Sequence, residues 1–209
     1  MSFFKTLLFV VALLSLSFTL HAQTPAFGVQ AGYGIANIFA YGSGDDYRGV
    51  YHVGILWHID LGNRWAIATK LMFNQRGSKS GGDVSGSISN GYLNIPVTAR
   101  FYFKDITSDA TNNGYLLFGP SVGFMLYSGL KVDGLDGTTD TEALYNPWDA
   151  GLHVGAGFET KTQKSAVLFV ELDCYFGVAN IFDKREAGPA FSDTRVLNRG
   201  FTLGTGIRF

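Results

Sequence analysis

The chain closes on Asn198-Arg-Gly-Phe-Thr-Leu-Gly-Thr-Gly-Ile-Arg-Phe209. Taken at every second position from Phe201, this stretch reads Phe, Leu, Thr, Ile, Phe, while Thr202, Gly204, Gly206 and Arg208 fall between. A period of two places these sets on opposite faces of a strand, one greasy and one small or polar. In water such a strand at a sheet edge invites aggregation. In hydrocarbon its unpaired N–H and C=O groups would have no partner at all. The pattern therefore requires a closed sheet, in which the last strand pairs with the first.

The same partition recurs upstream in seven more segments. They run Phe27–Ile38, Val50–Leu61, Trp65–Arg76, Tyr92–Phe103, Tyr115–Tyr127, Trp148–Thr160 and Ala166–Val178. In the second, Tyr51, Val53, Ile55, Trp57 and Ile59 alternate with His52, Gly54, His58 and Asp60. In the seventh, Leu168, Val170, Leu172, Cys174 and Phe176 alternate with Glu171, Asp173 and Gly177. Each is about the length a tilted spanning strand needs. A small soluble barrel would carry Lys, Glu and Thr on its polar face, because that face meets water. Here the non-greasy face is mostly Gly, Ala and Ser with a few charges, which suits the cramped interior of an eight-stranded tube. The expected fold is all-β: an eight-stranded antiparallel up-and-down transmembrane β-barrel.

Composition agrees. Charged residues are 16% of the 209, below the usual quarter, against 46% apolar, 15% aromatic and 27 glycines. The net charge of −1 offers no basic field for nucleic acid. Residues 1–22 are expected to be a signal peptide: Lys5 is the positive start, Thr6 to Leu20 the apolar run, and Leu20-His21-Ala22 the cleavage site. That run is too short for a helical span of roughly 20 residues. Residues 23–209 are then one barrel domain. Cys174 is the single cysteine, so no internal disulfide forms.

With the amino terminus in the periplasm, even-numbered links should be short and odd-numbered ones long. The even links read Gly62–Arg64, Lys104–Gly114 and Lys161–Ser165, and the odd ones Phe39–Gly49, Gly77–Gly91, Ser128–Pro147 and Ala179–Arg199. Aromatics near strand ends, among them Tyr33, Tyr51, Trp65, Tyr92, Tyr115, Trp148 and Phe209, are expected to form two interfacial girdles.

Lys70, Arg76, Arg100, Glu159, Glu171, Asp173 and Arg208 fall on the predicted lumen face. The third and seventh segments lie opposite each other in an eight-strand ring. Lys70 and Glu171 are thus expected to pair across the lumen, with Arg100, Glu159 and Arg208 in a second cluster, since a lone charge in a narrow interior is costly. His52, His58 and His153 also turn inward, but no Ser-His-Asp order or H-x-x-x-H spacing supports catalysis or metal binding. Asp133, Asp136, Asp140 and Glu142 lack the regular ligand spacing of a calcium loop. Asp183-Lys-Arg-Glu186 is a mixed-charge run, and Phe182, Pro189 and Phe191 could meet a partner or pack over the mouth. No catalytic, cofactor or metal site is expected.

Several motifs resemble the PorT-like outer-membrane β-barrel family of Bacteroidetes. They are G-V-Q-A-G-Y at Gly28–Tyr33, Y-L-N-I-P-V at Tyr92–Val97, L-L-F-G-P at Leu116–Pro120, G-A-G-F-E at Gly155–Glu159, F-G-V-A-N-I at Phe176–Ile181 and the terminal G-I-R-F. The architecture is similar to that of small OmpA/OmpX-type barrels. The resemblance implies a Gram-negative outer-membrane protein, delivered by the barrel assembly machinery with Phe209 in the recognised strand. It implies no catalytic residues. The expected function is a non-enzymatic outer-membrane barrel with a plugged lumen and a structural or loop-mediated role, in contact with outer-membrane lipid and with a protein partner at its outer loops. The alternatives are an accessory component of a protein secretion system, a narrow pore, or a lipid-modifying enzyme.

Overall fold

The computed structural model describes residues 25–40, 46–80, 85–106, 110–134, 137–163, 166–182 and 195–209. The expected signal peptide, residues 1–22, lies outside them. Among the described residues no helix is long and apolar enough to cross a membrane. The strands are β1 (Ala26–Ala40), β2 (Arg48–Gly62), β3 (Trp65–Ser80), β4 (Gly86–Tyr102), β5 (Asn112–Val132), the two-residue β6 (Thr139–Asp140), β7 (Trp148–Lys161), β8 (Val167–Gly177) and β9 (Val196–Arg208). All pairings are antiparallel. Eight strands close on themselves in the order β1-β2-β3-β4-β5-β7-β8-β9, and β6 is an added flap on β5. The ring closes where β9 meets β1, from Gly28–Arg208 to Ala40–Val196. Phe27 and Phe209 complete the seam by exchanging backbone bonds of 3.2 and 2.7 Å.

Exposure fixes which way the faces point. Val29, Phe118, Leu172 and Leu203 are each more than half exposed, while Arg100 is 0% and Glu171 1% exposed. A soluble protein shows the reverse, because burying charge and exposing large apolar groups both oppose folding in water. Aromatic rings border the apolar band. Phe27 with Trp57 and Trp65 with Phe101 lie at the end that holds the termini; Tyr51 with Phe73 and Phe124 with Trp148 lie at the other. Two residues expected in these girdles are not there: Tyr92 and Tyr115 are fully buried inside the barrel.

The turns at the terminal end are tight. Asn63-Arg64 link β2 to β3 across the Gly62–Trp65 pair, and Gly62 (φ 93°) and Asn63 (φ 51°) take left-handed conformations there, next to a register shift between Asp60 and Gly62. The longer β4–β5 link is tied down by Asn113, whose side chain donates to the Lys104 carbonyl and accepts from the Lys104 N–H, both at 3.0 Å.

At the opposite end the structure departs from the expected loop boundaries. Much of Gly77–Gly91 and part of Ser128–Pro147 are strand: β3 and β4 stay paired to Ser80–Gly86, and β4 and β5 to Gly86–Val132. Strand β5 has 21 residues, about 70 Å of extended chain against a hydrocarbon core of roughly 30 Å. Above the membrane a ladder needs no greasy face, so the loss of apolar alternation does not mark where a strand ends.

The glycines of the inner face serve as seats for rings. A Cβ at Gly157 would fall within the Tyr115 ring, one at Gly151 within Tyr175, and one at Gly206 within Phe169. Tyr115 and Phe169 lie directly across from Gly157 and Gly206 on the neighbouring strands. The large inward aromatics therefore lie flat over glycine instead of standing into the lumen. Gly157→Val is expected to lower stability by about 1–3 kcal/mol through forced displacement of Tyr115. Urea unfolding of the barrel in lipid vesicles, followed by tryptophan fluorescence, measures this.

Candidate functional site

The inward side chains form three tiers along the lumen. The central tier is built on Glu171 of β8. Lys70 of β3 ion-pairs with its Oε1, and the Gln30 amide of β1 donates to the same oxygen at 3.4 Å. Arg100 of β4 and the Tyr115 hydroxyl of β5 donate to Oε2 at 2.7 and 3.0 Å. One carboxylate thus gathers donors from four other strands. Arg100 is further held against the rings of Tyr115 and Phe169, at 4.7 and 5.8 Å.

The tier nearest the termini is built on Glu159 of β7. Arg208 of β9 grips it with two bonds of 2.8 Å, and the Tyr102 hydroxyl of β4 donates to it at 3.0 Å. His58 Nε2 lies 2.9 Å from Asp60 Oδ1, and its ring meets Tyr102 edge-on. The tier at the far end is built on Asp149 of β7. Arg76 of β3 ion-pairs with it, and Asn198 of β9 donates to it at 2.8 Å. The Arg76 guanidinium lies between Tyr175 at 3.8 Å and Tyr92 at 4.9 Å. Beside it, His153 Nδ1 is 2.7 Å from Asp173 Oδ2, and the Asn94 amide is 3.5 Å from His153 Nε2.

Beyond the third tier, Ile38, Tyr92, Met125, Tyr145, Ile181 and Val196 pack into a buried apolar cluster, with Ile88 and Phe182 against it. Tyr145 and Phe182 form an antiparallel bridge, which joins the two links that flank β7 and β8. Asn146 adds side-chain bonds of 2.9 and 3.2 Å to the carbonyls of Asn180 and Phe182.

Of the residues singled out in the sequence, Lys70 and Glu171 meet, and so do Arg208 and Glu159. Arg100 does not join Glu159 and Arg208 but reaches the central tier. Its side chain bonds Glu171, and Tyr102, two positions along β4, takes the place at Glu159. Asp173 pairs with His153. Phe209 sits at the β1–β9 seam. Asp140 and Glu142 are exposed, and the Glu142 N–H donates to Asp140 at 2.9 Å. Asp136, Asp183–Glu186, Pro189 and Phe191 lie outside the described residues. Among the described residues no three or more His, Cys, Asp or Glu side chains are placed to share a metal ion. Tyr102, Tyr175 and Asn198 are not singled out by the sequence, which places Gln30 on the inward face without a partner and Tyr115 in a girdle. Strand parity alone would have found them, because each shares a face with a residue already known to point inward.

Removing the charge at the centre tests the network. Glu171→Gln leaves Lys70 and Arg100 without a counter-charge and is expected to destabilise the barrel by about 3–5 kcal/mol. Replacing all three together, by Glu171→Leu, Lys70→Met and Arg100→Leu, is expected to restore most of that loss. Parallel urea titrations in vesicles compare the two.

The sequence from residue 21 to 183 matches the family described as outer membrane protein β-barrel domain. No protein of curated function matches the chain. Among solved structures, the chain is similar to OprG from Pseudomonas aeruginosa, with 11% identity, 91% of this chain and 98% of that one covered, and a TM-score of 0.53. It is also similar to the Neisserial surface protein NspA, with 13% identity, coverage of 90% and 100%, and a TM-score of 0.51. The attachment invasion locus protein Ail of Yersinia pestis follows at 14% identity, coverage of 90% and 100%, and a TM-score of 0.45.

Proposed function

The chain belongs to the outer membrane protein β-barrel domain family, and we propose that it is a non-enzymatic barrel whose lumen is plugged by its own side chains. In this reading it acts through its wall and its outward extensions. The observation that carries the proposal is the Glu171 centre. Four strands send donors to one carboxylate that is 1% exposed. An ion crossing this tier would have to displace a buried, multiply bonded charge network, which is costly in a low-dielectric interior. The tiers above and below repeat the arrangement with Asp149 and Glu159.

Residence in the outer membrane sets the surroundings. The apolar band meets outer-membrane lipid, the termini face the periplasm, and the extended β3–β4–β5 sheet stands outside. There it is available to a protein partner. The β9 strand ending in Phe209 is the segment proposed to engage the barrel assembly machinery during insertion, after removal of residues 1–22.

A second reading is a part in protein secretion. It rests on the PorT-like motifs, in particular F-G-V-A-N-I, whose last residue, Ile181, is fully buried in the apolar cluster beyond the third tier. An export assay in a deletion strain separates it from the first: lost cargo export supports the secretion role, and unchanged export removes it.

The plug itself is tested in planar bilayers. The folded protein is expected to show no discrete conductance steps at 100 mV, a drive of about 2.3 kcal/mol per charge. Reproducible single-channel steps in the unmodified protein would refute it.

A further inference from the structure

The arginines within the described strands are Arg48, Arg76, Arg100, Arg199 and Arg208. Four of them are spent inside the protein. Arg76, Arg100 and Arg208 pair with Asp149, Glu171 and Glu159, and Arg48 donates to the Ile88 carbonyl at 2.9 Å. Arg199 of β9 differs: among the described residues it has no ion pair, and its side chain donates no hydrogen bond. What it touches is a ring. Its guanidinium lies 3.8 Å from the centre of Phe39 on β1.

Arg199 is half-buried and shares the outward face of β9 with the exposed Phe201 and Leu203. In register it stands between Asn37 of β1 and Phe176 of β8. Phe201, two positions along β9, has the Tyr47 ring 6.4 Å away. Phe39, Phe176, Phe201 and Tyr47 thus form an aromatic collar around one cation. The outward faces of β1, β8 and β9 carry no acidic side chain among the described residues. Height follows from the strand. From Phe209 to Arg199 the chain rises about 25 Å along the membrane normal, at ~3.3 Å per residue and a tilt of roughly 40°. That is the height of the apolar band in a barrel of this kind. Arg199 therefore stands where the hydrocarbon ends, at the level of the lipid head groups farthest from the termini.

The anion that membrane lipids present at this level is phosphate. A guanidinium fork meets two phosphate oxygens at once, and no neighbouring carboxylate competes for it here. The Phe39 ring restrains the side chain beforehand, which lowers the entropy lost on binding. We propose that Arg199 and its collar bind the phosphate of an outer-leaflet lipid, whose acyl chains lie along Phe201 and Leu203. Because the termini face the periplasm in the reading above, this end of the barrel lies in the outer leaflet, and the site rests on that reading.

The test uses the mature barrel in phosphatidylcholine nanodiscs doped with a graded fraction of lipid A that carries its phosphates. Native mass spectrometry counts the lipid A retained on the protein. Saturable retention is expected, and lipid A stripped of its phosphates should be held no better than phosphatidylcholine. Arg199→Gln should weaken retention about fivefold, the ~1 kcal/mol that one basic side chain adds near an anionic membrane surface. It should leave the stripped lipid unaffected. Lys131→Gln removes an exposed basic residue from the extended sheet at the same end, and it should change neither. Heat-dependent gel migration checks that each variant is folded. Equal retention of the two lipids would overturn the proposal. So would Arg199→Gln binding as the unmodified protein does, or a loss in Lys131→Gln as large as in Arg199→Gln. Orientation is read separately on whole cells, from Lys131→Cys on a Cys174→Ser background with a membrane-impermeant maleimide. Intact cells are expected to label. Labelling only after the outer membrane is breached would overturn the outer-leaflet source together with the orientation, whereas the nanodiscs test the phosphate site alone.

Discussion

Hydrocarbon offers no hydrogen bonds, so each backbone group of a spanning strand must find its partner on a neighbouring strand. The β1–β9 seam is where this constraint is met last and at greatest sequence distance. It joins Gly28 to Arg208 and continues past Ile38–Asn198 to Ala40–Val196. Without it, both strands would be bare edges in lipid. The remaining architecture follows from closure. A ring of eight strands has an interior only wide enough for side chains, so whatever points inward must pack, and whatever is charged must pair within a few ångströms.

The interior solves both problems with one device. A glycine on one strand lets the ring from the next strand lie against the backbone, as Tyr115 does over Gly157. The flattened rings then leave a narrow axial space in which Lys70, Arg100 and Glu171 can meet from different strands. The seated Tyr115 ring carries the hydroxyl that finishes Glu171, and Tyr102, whose ring lies 5.2 Å from that of Tyr115, finishes Glu159. Glycine, ring and ion pair therefore depend on one another. Filling a seat displaces a ring, and the displaced ring leaves a buried carboxylate oxygen short of a donor.

The outward half of this design was legible in the sequence, because a period of two with large apolar residues on one parity has a single reading in eight successive segments. The charges of the inward half were legible too, since Lys70 and Glu171 fall mid-strand on opposite sides of the ring. Individual partners were less so. Arg100 lies near the end of its segment and looked like company for Glu159, but a long side chain reaches along the axis as well as across it, and it settles on Glu171. Tyr92 and Tyr115 lie at strand ends, where an aromatic suits a girdle, and only their parity with Asn94 and Leu117 tells that they turn in. The extension of β3, β4 and β5 beyond the membrane was hidden for a different reason. Outside the bilayer both faces of a strand meet water, so residues such as Ser87, Ser89 and Lys131 carry no periodic mark.

The seating of rings on glycine extends beyond the tyrosines. His52 of β2 lies over Gly32 of β1 and Gly204 of β9, where a Cβ would crowd its ring. The seat that fixes this imidazole is thus the device that fixes the plug tyrosines Tyr115 and Tyr175 over Gly157 and Gly151. A small residue on one strand therefore decides how a large one on its neighbour is held, and the inward face is specified by pairs of residues across strands more than by any residue alone.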